Sequence, residues 1–188
     1  MRITVFCSSS DAVPAPYRRI AHDLGQLMAQ RGHSLVYGGA TSGLMGTLAR
    51  SVREAGGAVT GVMPRQMVAY GLAMPGLDRM VVTTTMAERK AYMEASADGF
   101  IVLPGGFGTL EELFEVLTLR QLGTLKGPVV LLSPDGFYDG LLDFFGKLYR
   151  EQFAKEAFQG LYTVVAAPIE ALDAIEYPRE TSYPDKWF

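Results

Sequence analysis

The stretch Phe100-Ile101-Val102-Leu103-Pro104-Gly105-Gly106-Phe107-Gly108-Thr109-Leu110-Glu111-Glu112 decides the fold. Its first part, Phe100–Leu103, is an unbroken apolar run. Such a run reads as a strand buried on both faces of a parallel sheet. A glycine turn follows and opens a helix over Leu110–Leu122. Thr109 and Glu112 have the spacing of a capping box, with Thr109 as N-cap and Glu112 at N3. In an open α/β sheet, ligands sit beyond the carboxyl ends of the strands. Glycines there let backbone N–H groups approach a ligand, and the positive end of a helix suits a phosphate. The same glycines also describe a plain tight turn. Their spacing is neither the dinucleotide G-x-G-x-x-G nor a P-loop with its Gly-Lys-Ser/Thr ending, and the nearby lysine, Lys126, lies beyond the helix.

Working outward, short apolar runs alternate with amphipathic ones. Strands are expected at Ile3–Phe6, Ser34–Tyr37, Val59–Met63, Met80–Val82 and Val129–Leu132, with a weak one at Tyr162–Val165. Helices are expected over Pro16–Arg31, Leu44–Ala55, Met86–Ala97, Tyr138–Arg150 and Ile169–Ile175. Arg65–Asp78, with its glycines and Pro75, reads as irregular. The alternation predicts an α/β fold, a Rossmann-like doubly wound parallel sheet with helices on both faces. A single domain is expected over residues 1–176, followed by an aromatic tail at 177–188. That tail, with Tyr177, Trp187 and Phe188, is expected to be non-helical and either docked on a surface or disordered.

Composition bounds the function. A chain of 188 residues buries roughly 70% of its unfolded surface and needs no staples. Seventeen basic and twenty acidic residues leave a net charge of −3, which argues against a nucleic-acid partner held by phosphate neutralisation. The one cysteine, Cys7, excludes an intramolecular disulfide, and with two histidines no Cys/His zinc site is expected. The apolar start is too short for a signal segment, and no run approaches the ~20 apolar residues of a membrane span. A cytoplasmic protein with no membrane partner is expected.

Two further stretches share the placement of the first. Tyr37-Gly38-Gly39-Ala40-Thr41-Ser42-Gly43-Leu44-Met45-Gly46 also follows a strand and opens a helix that Ser42 is placed to cap. Ser8-Ser9-Ser10 follows the first strand. Together they suggest a crevice floored by helix N-termini. In Met86-Ala87-Glu88-Arg89-Lys90-Ala91-Tyr92-Met93, the charges by themselves describe a solvated helix face. Met86, Met93 and Ala97 mark the expected buried stripe. Arg89 lies at its edge, where it can lean over the sheet end toward Glu112.

These residues resemble the LONELY GUY family of cytokinin-activating phosphoribohydrolases, long described as lysine decarboxylases. Pro104–Glu112 matches the family's P-G-G-x-G-T-x-x-E signature. Glu88-Arg89-Lys90 with Met93 is similar to its second motif, and Tyr37-Gly38-Gly39 with Gly43–Gly46 to its first glycine loop. Gln121-Leu122-Gly123, Pro128-Val129 and Gly136–Asp139 continue the match. The resemblance implies a homodimer that hydrolyses the N-glycosidic bond of a nucleoside 5′-monophosphate, either a cytokinin riboside 5′-monophosphate or AMP, to free base and ribose 5-phosphate. It implies Arg89 and Glu112 as the catalytic pair. It implies Ser9, Gly39, Met86, Lys90, Gly105, Gly106, Gly108, Thr109, Glu111 and Thr118 as substrate-binding residues, with no metal and no cofactor. A carboxylate such as Glu112 can stabilise an oxocarbenium-like sugar or activate a water.

The match has departures. Ser8 and Ala40 stand where the family usually has glycine. Thr85 and Ala87 replace an aspartate and a histidine, and Gly71 falls where an acidic residue is used. They leave the pair and the phosphate loop whole and thin out the polar groups that would read the base or ribose. A pyridoxal-dependent decarboxylase is not supported, because no lysine sits in a loop suited to a Schiff base. The alternative from another class is a nucleotide-binding sensor or carrier without turnover. An interaction face made of Met86, Met93, Leu113, Phe114, Leu117 and the tail aromatics is compatible with the enzyme reading.

Overall fold

The computed structural model describes residues 1–179; residues 180–188, with Tyr183, Trp187 and Phe188, lie outside the described residues. Seven strands alternate with seven helices. They are β1 (Arg2–Phe6), α1 (Ala15–Gln30), β2 (Ser34–Tyr37), α2 (Gly43–Glu54), β3 (Val59–Pro64), α3 (Arg65–Ala69) and β4 (Arg79–Thr83). Then come α4 (Met86–Ala95), β5 (Gly99–Val102), α5 (Phe107–Gln121), β6 (Val129–Leu132), α6 (Asp139–Arg150), β7 (Thr163–Val165) and α7 (Pro168–Glu176). All pairings are parallel, in the order β4-β3-β2-β1-β5-β6-β7.

Alternate residues of each central strand feed two separate cores. Ile3, Val5 and Cys7 face one layer with Leu24 and Met28 of α1, Leu48 and Val52 of α2, and Leu172 and Ile175 of α7. Phe6, Val102 and Leu131 face the other, with Met93 of α4, Val116 of α5 and Phe145 of α6. Burial on both faces is what the unbroken apolar runs require, since neither face of the strand meets water. The doubly wound α/β prediction therefore holds.

Boundaries differ where turn chemistry outweighs pattern. The stretch expected to be irregular contains α3, which Pro64 opens from its N-cap position. Beyond it the chain folds back, with Ala40 bridging Ala73 and Met74 buried under the Tyr37 hydroxyl. The largest shift is at α5, which begins at Phe107 with Gly106 as N-cap rather than at Leu110. Thr109 is thus the N3 residue and not a cap. At the end of the described chain, Tyr177 is exposed.

Strand order reverses beside β1. From β1 the chain winds outward to β2, β3 and β4, and on the other side stand β5, β6 and β7. The loops after β1 and β5 leave the sheet in opposite directions, and the gap between them is the natural ligand crevice of such a sheet.

Candidate active site

The loops after β1 and β2, with residues of α2, α3, α4 and the start of α5, wall this crevice, a cavity of about 380 Å³. The β1 loop brings Cys7, Ser8, Ser9 and Ser10; the β2 loop brings Gly38 and Ala40, with Met45 from α2. Gly106, Gly108, Thr109 and Glu112 come from the start of α5, and Met86 and Arg89 from α4. Met67 of α3 closes one side. Hollows of about 440 and 1190 Å³ lie elsewhere, lined by residues of α1, β7 and α7, and hold neither Arg89 nor Glu112.

The two glycine loops are not equivalent. At α2 the first N–H groups are already used. Gly43 N–H donates to Asp11 Oδ1 at 2.9 Å, and Leu44 and Met45 N–H donate to the Ser8 carbonyl at 2.9 and 3.2 Å. The Ser42 hydroxyl donates to the Ser9 carbonyl and does not cap its helix, contrary to expectation. At α5 there is no side-chain cap, and the first backbone bond of the opening turn runs from Leu110 N–H to the Gly106 carbonyl. Among the described residues, the N–H groups of Phe107, Gly108 and Thr109 therefore stand open. A β-carbon at Gly106 or Gly108 would meet nothing within 4 Å, so this turn faces free space. Open N–H groups and the positive helix end make it, of the two glycine loops, the one ready to cradle an anion. Gly105 serves differently: a β-carbon there would lie 2.5 Å from Thr109 Cβ, so its lack of side chain lets Thr109 fold back under the turn.

Arg89 and Glu112 meet at the floor. The Arg89 Nη1 donates to Glu112 Oε1 at 2.7 Å, with side chains only 8% and 6% exposed. Arg89 Nε donates to the Val62 carbonyl at 3.0 Å, and Nη1 lies 3.6 Å from Met86 Sδ. The solvated-face reading of Arg89 is thus overturned; Arg89 and Met93 are the buried residues of α4. Thr85 caps that helix by accepting from Glu88 N–H, and Glu88 Oε2 accepts from Thr84 N–H, which fixes the first turn and so the reach of Arg89. Burial pushes the Glu112 carboxyl above the usual carboxylate range, and the Arg89 guanidinium opposes that rise. Burial likewise pushes the Cys7 thiol up beside them.

The crevice thus gathers Ser9, Met86, Arg89, Gly106, Gly108, Thr109 and Glu112 of the predicted residues. It does not gather Lys90, Glu111 or Thr118. Lys90 pairs with Glu111 and, at 2.7 Å, with Glu115, on the outer side of α4 and α5. Glu111 and Thr118 line a shallow hollow there with Phe114. The helical period explains this: Lys90 lies about 100° round the axis from Arg89. Gly39 sits behind the cleft wall with φ +80°, packed on Met63. Met86 is exposed rather than part of a buried stripe. Of the departures, Ser8 turns its hydroxyl onto Ser10 N–H, and a β-carbon at Gly71 (φ +74°) would meet nothing within 4 Å. Gly38, Met45 and Met67 are lining residues that were not singled out beforehand. Gly38 and Met45 stood in the quoted glycine loop, but Met67 lay in the segment read as irregular.

The model of a family described as "Possible lysine decarboxylase" matches residues 45–175. A probable cytokinin riboside 5′-monophosphate phosphoribohydrolase of Oryza sativa subsp. japonica is 44% identical over 167 residues, covering 89% of this chain and 67% of that protein. A cytokinin riboside 5′-monophosphate phosphoribohydrolase of Arabidopsis thaliana is 41% identical over 167 residues, covering 89% of this chain and 78% of that one. Among solved structures, the molybdenum cofactor carrier protein of Chlamydomonas reinhardtii superposes with a TM-score of 0.73 at 25% identity, covering 93% of this chain and 95% of that one.

Proposed function

The chain belongs to the LONELY GUY family, and from that premise we propose that it hydrolyses the N-glycosidic bond of a nucleoside 5′-monophosphate such as AMP or a cytokinin riboside 5′-monophosphate. The observation that carries this reading is the buried Arg89–Glu112 pair beside the uncapped start of α5. The 5′-phosphate sits on the open N–H groups of Phe107, Gly108 and Thr109. It fixes the sugar without taking part in the chemistry. The ribose then lies over the floor, and Ser9 and Met86 flank it from the rim.

In the reaction the C1′–N bond breaks and its electron pair leaves with the base. The sugar gains oxocarbenium character, which the Glu112 carboxylate faces. Water adds its oxygen to C1′, giving one proton to Glu112 as it attacks. The departing base takes up one proton and Glu112 gives up the one it received, directly or through solvent, so base and ribose 5-phosphate leave neutral at the broken bond and the carboxylate is restored. Arg89 holds the carboxylate in place and keeps it ionised against the cost of burial. Pure binding would not require such a pair.

The reading includes a homodimer. Phe107, Phe114 and Met86 are exposed apolar side chains on α4 and α5, and Phe114 lines the shallow hollow with Glu111 and Thr118. Met93, Leu113 and Leu117 are buried within the subunit and so belong to its core, not to such a face. A sedimenting species of 20.5 kDa at micromolar concentration would contradict the dimer. No helix among the described residues is long and apolar enough to cross a membrane. The unpaired buried Cys7 suits a reducing, cytoplasmic setting.

A panel of nucleoside 5′-monophosphates and the matching nucleosides, assayed for free base, tests the reaction. Release from AMP but not from adenosine is the expected result, because adenosine lacks the anchor. The carrier reading draws on the likeness to molybdenum cofactor carrier proteins. It predicts binding of the nucleotides with no base released from any of them.

A further inference from the structure

The structure assigns Gly38 a role as the positioning residue for Arg89. The inference rests on the hydrolase reading above for its kinetic consequence, though not for its geometry. A β-carbon built on Gly38 would fall on the Nη2 atom of Arg89, well inside contact distance. Its next neighbours, Sδ and Cε of Met45, are 3.0 Å away and at the end of a flexible chain, so they can yield. The guanidinium cannot. Nε is held by the Val62 carbonyl at 3.0 Å and Nη1 by Glu112 at 2.7 Å. With two edges fixed, the plane has one place for Nη2, and that place is the missing side chain of Gly38.

Backbone conformation does not explain the glycine. Gly39 and Gly43 on the same loop have φ of +80° and +62°, where other residues are strained, but Gly38 is not among the positive-φ positions. An alanine at 38 suits the backbone and collides with Arg89, while the tip of Met45 has to give by a few tenths of an ångström. The fold therefore tolerates the change while the catalytic pair does not. The slot has two walls, Gly38 from the end of β2 and the Val62 carbonyl from β3, and it converts the tip of a mobile side chain into a fixed one. A displaced guanidinium leaves Glu112 buried without its opposing charge, which raises the carboxyl further.

The test compares Gly38→Ala, Arg89→Lys and the double variant in the full chain. Gly38→Ala is expected to melt within a few degrees of the parent and to lose kcat by on the order of 10²-fold, with little change in KM for AMP. The acid limb of its pH–rate profile is expected to move to higher pH. The Arg89 Nε–H signal in an ¹⁵N spectrum, sheltered in the parent by the Val62 carbonyl, is expected to shift or exchange away. In the Arg89→Lys background, where no Nη2 exists, Gly38→Ala should change kcat less than about twofold. A parental kcat and an unmoved Nε–H signal in Gly38→Ala would overturn the inference, as would a loss of the same size in the lysine background. If the parent releases no base, the hydrolase reading fails, and the Nε–H signal still decides the slot.

Discussion

Arg89 and Glu112 stand 23 positions apart in sequence, on two helices that approach the sheet from one side, and they meet at 2.7 Å with less than a tenth of either side chain exposed. Two opposite charges so buried cannot be separated cheaply. Removing one leaves the other desolvated and unpaired, which costs about 3–5 kcal/mol. Arg89→Ala should therefore lower the thermal midpoint by on the order of 10 °C. Glu112→Gln keeps an oxygen that accepts from Arg89 and should lower it by less than half as much. Calorimetry of the two variants checks the ordering.

Activity should follow the ionisation of Glu112. Its carboxyl is raised by burial, so the working carboxylate is lost at a higher pH than for an ordinary glutamate near ~4.3. The rate of base release from AMP should fall on acidification while the protein is still folded. A profile flat down to the pH of unfolding would contradict the role given to this group.

Glu94 offers a separate test, through stability. Burial, then the charge of Glu115 and a hydrogen bond to it, push its carboxyl up to about 7. The folded chain thus holds this proton more tightly than the unfolded one. Its stabilising contribution is full below the ordinary glutamate range and is lost as the pH rises through about 7. Glu94→Gln should raise the thermal midpoint by a few degrees at pH 8 and leave it unmoved at pH 4, since the amide has no proton to lose. Melting curves at the two pH values decide.

The phosphate cradle depends on a packing detail. Because Thr109 occupies the space beside Gly105, Gly105→Ala should push the first turn of α5 outward and cost about 1–3 kcal/mol by overpacking. Its main kinetic effect should be a raised KM for AMP, with adenosine binding unchanged. Titration calorimetry with both ligands separates loss of the anchor from general damage.

Much of this was legible in the residues. β2 and β6 fall where their apolar runs place them, because both ends are set by glycine, proline or polar residues. The pairing of Arg89 with Glu112 was implied by the family resemblance; local pattern only allowed it, since the charges read as a solvated face and Met86, placed in the buried stripe, is exposed. Other features were hidden by competing physics. A threonine and a glutamate three residues apart look like a capping box, but glycine at 106 lets the helix start a turn earlier. Lys90 carries the same charge as its neighbour, and only the helical phase sends it outward to Glu111 and Glu115. Met67 reached the cleft through a short helix that has no apolar periodicity to announce it.

The most direct measurement is the release of free adenine from AMP by the parent and by Glu112→Gln, followed chromatographically at neutral pH. The parent should yield adenine and ribose 5-phosphate in equal amounts, and the glutamine variant should be slower by roughly 10²–10⁴-fold with its fold retained. Equal rates from the two proteins, or a parent that binds AMP and returns it whole, would contradict the account.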